Sequence, residues 1–162
     1  MLVSFRTCTP RDYRVLLRFI REFYRSDRIR FNAAATGPAL RKLLRDDSLG
    51  KAFLLEAGKK PVGYAILTFN YDLEYGGMEG MLTDLYVIKK CRGEGIGSLA
   101  LYEIEDFCRE LGIKALELQV RHRNKSAQKF YRQAGYKFLE RVVMIRDIPP
   151  VKPAGITRRK RA

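Results

Sequence analysis

The sequence has no tryptophan, a single histidine (His122) and three scattered cysteines, Cys8, Cys91 and Cys108. One imidazole, and thiols without paired spacing, supply no ligand set for a structural or catalytic zinc, so no metal is expected. The odd cysteine count also argues against a disulfide framework and for a reducing compartment, the cytoplasm. No apolar run reaches the roughly 20 residues needed to cross a bilayer. The N-terminus lacks the basic-then-apolar layout of a secretory signal. Acidic residues are the scarcer charge: 18 Asp+Glu face 32 Lys+Arg, a formal net charge of +14. Such a field favours anionic partners, and nucleic acid is one of them. Part of the excess sits in a final run, Arg158-Arg-Lys-Arg161, beyond Pro149, Pro150 and Pro153. Residues 149–162 therefore read as a basic, solvated tail, and 1–148 as one domain. At 162 residues and 46% hydrophobic content, one domain with a real core is what the chain can build. No internal repeat is visible.

What the sequence has in abundance is glycine at one place. Gly93, Gly95 and Gly97 punctuate Arg92-Gly93-Glu94-Gly95-Ile96-Gly97-Ser98. An apolar run, 81–88, precedes this stretch and reads as a buried strand. Residues 98–111 follow it and read as a helix. Glycines let the turn adopt positive φ and leave its amides open to close approach. Successive N–H groups and the helix N-terminus behind them suit a pyrophosphate, and Arg92 adds a fixed charge. Neither standard phosphate loop fits. There is no Gly-Lys-Ser/Thr ending and no Gly-x-Gly-x-x-Gly.

Read in order, 2–8 is a first strand. Thr9 caps a helix with Pro10 at its first position and Asp12 in its first turn. That helix sets Tyr13, Leu16, Leu17, Ile20, Phe23 and Tyr24 on one face, and Arg11, Arg14, Arg18, Arg21 and Arg25 on a solvated one. Thr36 is the predicted cap of a second helix, with Leu40, Leu43 and Leu44 inside. Strands follow at 52–57 and 62–71, joined by the turn 58–61. Gly63 marks a bend or a close approach within the second of them. After the glycine loop and its helix come a strand at 113–120, a helix capped by Asn124 and ended by Gly135, and two short strands at 136–139 and 141–145.

Arg92-Gly-Glu-Gly-Ile-Gly97 after a strand resembles the coenzyme A loop of the GNAT superfamily of N-acetyltransferases. A second segment does so too: Asn124-Lys-Ser-Ala-Gln-Lys-Phe-Tyr131-Arg-Gln-Ala-Gly135-Tyr136 is similar to that family's Asn-x-x-Ala-x-x-Phe-Tyr-x-x-x-Gly-Phe. The order and spacing of the two segments also match, and the resemblance covers roughly residues 3–147. It implies a mixed α/β (α+β) fold, a mostly antiparallel sheet of about seven strands flanked by about four helices.

The resemblance further implies acetyl-coenzyme A as cosubstrate and a primary amine as acceptor, on a small molecule or a protein. The loop amides of Arg92, Gly93, Glu94, Gly95, Ile96, Gly97 and Ser98 would hold the pyrophosphate. The backbone of Leu85, Tyr86 and Val87 would pair with the pantetheine arm, and Asn124 would lie near it. Tyr131 would donate to the leaving thiolate, as a phenol of pKa near ~10 can. The residues alone favour Tyr131 as a core aromatic and account for Asn124 as a helix cap. A base must take the proton of an amine of pKa near ~10.4, and Asp84, Glu79 and Glu74 are candidates, Asp84 first. Around 82–87 the chain resembles spermidine/spermine acetyltransferases, with Thr83 where those carry glutamate. Strict alternation puts Asp84 opposite Thr83 and Glu79 on Thr83's side, unless a bulge intervenes. Two readings of other classes stand beside the enzyme: a regulator that binds acyl-coenzyme A without turnover, and a basic nucleic-acid module. A homodimer is left open, and no membrane partner is expected.

Overall fold

The computed structural model describes residues 3–150. The basic run at 158–161, and most of the predicted tail, lie outside the described residues. Strand β1 (Val3–Thr7) leads through a 3-10 turn (Pro10–Asp12) into α1 (Tyr13–Ser26) and then α2 (Ala33–Leu43). Strands β2 (Gly50–Ala57), β3 (Lys60–Asp72) and β4 (Gly77–Val87) form a meander. A second 3-10 turn (Lys89–Cys91) precedes α3 (Ile96–Glu110), and β5 (Leu116–Leu118) and α4 (Lys125–Gln133) complete the elements. The sheet order is β1-β2-β3-β4-β5, antiparallel throughout except for the parallel β4–β5 pair. This is the mixed α/β arrangement expected.

Each helix pair covers one face. Leu16, Phe19, Ile20 and Leu40 of α1 and α2 pack on Ala52, Leu54, Tyr64, Ile66 and Tyr86. On the other face Leu101, Ile104 and Cys108 of α3 meet Phe53, Ala65, Leu67 and Leu82, with Phe130 and Tyr131 of α4 alongside. Arg11 of the 3-10 turn and the four arginines of α1 are all exposed, as the helical spacing requires. The start of α1 is fastened at the predicted place. The Thr9 amide donates to Asp12 Oδ2 at 2.8 Å, and Arg6 donates to both Asp12 (2.8 Å) and Glu56 (3.1 Å). That ion pair ties the start of α1 to β1 and β2. The Arg6 guanidinium holds the Asp12 carboxyl down at about 2.

Gly63 sits in β3 because nothing larger fits. A Cβ there would lie 2.3 Å from the Tyr86 carbonyl oxygen. Here the predicted close approach of backbones is literal.

Three local readings change. The cap of α2 is Asn32, whose side chain accepts from the Ala34 and Ala35 amides, so the helix begins three residues ahead of Thr36. Asn is as strong a cap as Thr, and the alanine triplet after it propagates a helix readily. The strand predicted over 113–120 contracts to Leu116–Leu118. The strands predicted at 136–139 and 141–145 do not pair, so the sheet has five strands among the described residues rather than about seven. The composition of 138–148 suits a strand, but a strand is stable only when paired, and here the segment lies apart with its apolar side chains exposed.

Candidate functional site

The site is made by strands that part. Strands β4 and β5 pair only from Gly80 to Leu82, with register Gly80↔Leu116 and Leu82↔Leu118. Beyond Leu82 they diverge, and the β5-facing backbone of β4 is left without a ladder partner. The gap opens into a cleft of about 820 Å³. Leu85, Tyr86 and Val87 line one wall, and Asn124, Ala127, Phe130 and Tyr131, from the cap of α4 to its last turn, line the other.

The glycine loop closes one end. Gly93 and Gly95 have φ of +85° and +78°, and Gly95 is the left-handed N-cap of α3. A Cβ at either position would meet no atom within 4 Å, so both face open space. This side-chain-free concavity at a helix N-terminus fits a pyrophosphate. Gly97 has a different task. A Cβ there would come 3.2 Å from the Phe130 ring, so its bareness lets α4 lie against α3. Arg92, Gly93, Gly95, Ile96, Gly97 and Ser98 all line the cleft, while Glu94 points away from it into solvent. Arg92 lies back along β4. Its Nε donates to the Val87 carbonyl at 2.8 Å, and its guanidinium stands 5.5 Å from the centre of the Tyr86 ring. The Tyr86 hydroxyl in turn donates to Glu22 Oε2 at 3.2 Å.

The acidic candidates separate. Ile66 faces Asp84 and Leu67 faces Leu82, so Thr83 is an extra residue, a bulge. This shift reverses strict alternation and turns Asp84 onto the face that carries Tyr64, Tyr86 and Glu79. The Tyr64 hydroxyl donates to Asp84 Oδ2 at 2.8 Å. Burial pushes the Asp84 carboxyl up to about 6, with the Tyr64 hydrogen bond opposing. Burial also pushes the Tyr131 phenol up to about 12, and the charge of Asp84 adds to it. Tyr24 is raised by the same two causes. Asp84, which like Glu79 is not among the residues lining the cleft, is thus an acidic side chain whose charge reaches Tyr131.

Glu79 lies five residues along β4, about 15 Å at strand rise, and does not border the cleft. Its Oε2 accepts from Asn70 at 3.3 Å, its Oε1 is buried without a partner, and enclosure raises its carboxyl. Glu74 sits in the β3–β4 turn, where both its carboxylate oxygens accept from Arg141. Asn124 caps α4 through the Ala127 amide (3.1 Å) and also lines the cleft.

The loop after α1, within the stretch 26–35 expected as a loop between the first two strands, also borders the site. Ser26, Asp27 and Arg28 border the cleft, and Arg28 holds a left-handed φ of 56°. Asp27 pairs with Arg121 Nε at 2.9 Å, and Arg123 donates to the Asp27 carbonyl at 2.6 Å, joining this loop to the one before α4. Neither segment carried periodicity. Only the clustering of Arg121, His122 and Arg123 ahead of the Asn124 cap hinted at a loop with work to do. Among the described residues no group of three or more His, Cys, Asp or Glu side chains is placed to hold a metal ion. No described helix is long and apolar enough to cross a membrane.

Against known proteins, the Acetyltransferase (GNAT) family matches residues 16–136. The thialysine N-epsilon-acetyltransferase of Bos taurus is 29% identical over 146 residues, covering 82% of this chain and 83% of that protein. The uncharacterized N-acetyltransferase YhfO of Bacillus subtilis is 37% identical over 57 residues, but that match spans only 38% of its length. Among solved structures, an integron cassette protein from the mobile metagenome of Cole Harbour Salt Marsh superposes with a TM-score of 0.79 at 31% identity, covering 90% of this chain and 91% of that one.

Proposed function

Since this chain belongs to the acetyltransferase (GNAT) family, we propose that it moves the acetyl group of acetyl-coenzyme A directly onto a primary amine. The observation that carries this reading is the parting of β4 from β5, which leaves a bare strand edge between a glycine-lined helix N-terminus and Tyr131. The amides of 92–98 and the positive end of α3 hold the pyrophosphate. By the alternation of a strand, the backbone N–H and C=O groups of Leu85 and Val87 are the ones turned from β3 toward an amide-bearing arm, as a sheet edge is toward an added strand, while the Tyr86 carbonyl faces Gly63. The cosubstrate supplies an activated acetyl thioester, and the chain's own side chains manage the protons. Tyr131, neutral at pH 7, donates a hydrogen bond or proton to the departing sulfur. Asp84, ionised at pH 7 and screened from water, accepts the proton of the incoming amine. Tyr64 holds one of its oxygens and so fixes the orientation of the other.

Glu79 and Glu74 are left out of this scheme by distance and by their partners. The free cysteines suit a reducing compartment, and the reading includes the cytoplasm. The test is a panel of small amines, amino acids and peptides, scored for release of free coenzyme A thiol. Turnover with at least one amine is expected. Thermal stabilisation by acetyl-coenzyme A with no turnover on any amine would support the non-catalytic regulator instead.

A further inference from the structure

The outer face of α1 carries more charge than the fold uses. Residues 10–31 hold seven arginines against three acidic residues. All three acids are engaged elsewhere: Asp12 with Arg6, Glu22 with the Tyr86 hydroxyl, and Asp27 with Arg121. Arg14, Arg18, Arg21 and Arg25 are exposed, and no ion pair among the described residues involves any of them. At 3.6 residues per turn and 1.5 Å rise, the four fall within an arc of about 60° and span about 16 Å along the helix. Each is three or four residues from the next, so the row consists of like-charge neighbours, which disfavour a helix. Two of the guanidiniums are steadied on rings: Arg18 stands 5.0 Å from the centre of Phe19, and Arg21 stands 5.1 Å from that of Phe31. Arg28 carries the row on to the rim of the cleft, but none of the four lines the cleft itself. Lysine would serve solubility as well, yet the chain has no lysine before Lys42. What arginine adds is a planar fork that grips phosphate through two parallel hydrogen bonds.

We infer that this face of α1 docks the phosphate backbone of a nucleic-acid duplex. A duplex carries one negative charge per roughly 1.7 Å of its axis, so a helix face about 16 Å long has phosphates within reach of all four arginines. The surroundings exclude the other polyanions. No large apolar side chain of α1 is exposed, so nothing on this face can enter a bilayer. Its aromatic rings are turned inward, with Phe19 buried and Tyr13, Phe23 and Tyr24 packed against the core, so none is free to stack on the bases of a single strand. An even row of forks on a straight helix suits the regular phosphates of a duplex better than the irregular carboxylates of a protein surface. Contacts to phosphate position a protein without reading sequence, so the docking is independent of base sequence. The formal net charge of +14 draws the duplex in from a distance. The face lies outside the cleft, and the inference does not depend on acetyl transfer.

The test titrates the full-length chain, stripped of nucleic acid at high salt, into fluorescent duplexes of DNA and of RNA with acetyl-coenzyme A in excess. Roughly micromolar binding at about 50 mM salt is expected. Binding to either duplex supports the proposal, and the tighter one names the source of the phosphates; binding to neither overturns it. The variant Arg14→Gln/Arg18→Gln/Arg21→Gln/Arg25→Gln should bind at least ~30-fold more weakly, and its plot of log K against log salt should be shallower by about 3–4. Glutamine is as good a helix former as arginine, so the far-ultraviolet circular dichroism spectrum should not change. A second variant, Arg158→Gln/Arg159→Gln/Lys160→Gln/Arg161→Gln, removes as many positive charges from the terminal run and should lose far less affinity. If it loses the duplex while the α1 variant keeps it, the face is not the docking site. Should the α1 variant misfold, Arg14→Gln and Arg25→Gln made singly should each reduce the slope by about 1, and unchanged slopes in both overturn the proposal. Equally tight binding of polyglutamate would assign the face to an acidic protein, and equally tight binding of phosphatidylglycerol vesicles would assign it to a membrane; either overturns the duplex.

Discussion

Asp84 owes its place to one extra residue. Without the bulge at Thr83 its carboxylate would turn toward α3 and α4, away from Tyr64. With the bulge it is half-buried beside Tyr64, and its carboxyl rises to about 6. If this group takes the amine proton, kcat/KM should fall about tenfold per pH unit below roughly pH 6, and Asp84→Asn should abolish that limb. A profile of kcat/KM from pH 5 to 9 on both proteins decides it; an acid limb that persists in the variant would assign the base elsewhere. Tyr131 makes the complementary case. Its hydroxyl is held neutral well past pH 7, with a value of about 12. Tyr131→Phe keeps the ring against Phe130 and Tyr136 and removes only the donor, so turnover should drop ~10²-fold with little change in cofactor affinity. A rate within about twofold of the parent, at saturating acetyl-coenzyme A and a confirmed acceptor, would reduce Tyr131 to a packing residue.

At the scale of elements, the loop and α4 show what a sequence makes legible. The glycines of 93–97, the Asn124 cap and the alternation of Tyr131 with its apolar neighbours are local facts, readable in a line of text because backbone conformation and helical period are local. The parting of β4 and β5 is not local. It depends on how few residues β5 offers, and no periodicity announced that it would contract to Leu116–Leu118. The bulge at Thr83 was legible only as an alternative, since the register of β4 is set by β3. The same reason defeated the strands foreseen over 136–145, whose composition is right and which form no ladder with the described sheet. The loop glycines invite a direct test. A side chain at Gly95 faces a left-handed φ of +78° and fills space now open. Gly95→Val should weaken acetyl-coenzyme A binding at least tenfold, about 1.4 kcal/mol. Calorimetry finding unchanged affinity in a folded variant would remove the phosphate role from this loop.

For the molecule as a whole, a raised carboxylate at the site is a stability cost that pH can reveal. Burial holds the folded Asp84 carboxyl up at about 6, above the roughly 3.9 of an unperturbed aspartate. Between those values the native state binds more protons than the unfolded chain, so stability falls as pH rises through the window, and the loss is complete above about pH 6. Asp12 runs the other way: held at about 2 by Arg6, it stabilises the fold above its unfolded value and loses that contribution as pH drops from about 4 toward 2. The formal net charge of +14 complicates any absolute profile, because protonating carboxylates adds to self-repulsion as pH falls. A difference between two proteins largely removes that background. Asp84→Asn retains a side-chain oxygen that can accept from Tyr64 and removes the buried charge. It should raise Tm at pH 7.5 by roughly 2–4 °C, on the order of 1 kcal/mol once partial solvent access is allowed for. The gain should shrink through pH 5 and vanish near pH 4, where the wild-type carboxyl is itself neutral in the fold. Paired thermal melts across that range decide the matter. A gain that is constant with pH would come from packing, and no gain at pH 7.5 would mean that Asp84 is not destabilised by its tyrosine surroundings.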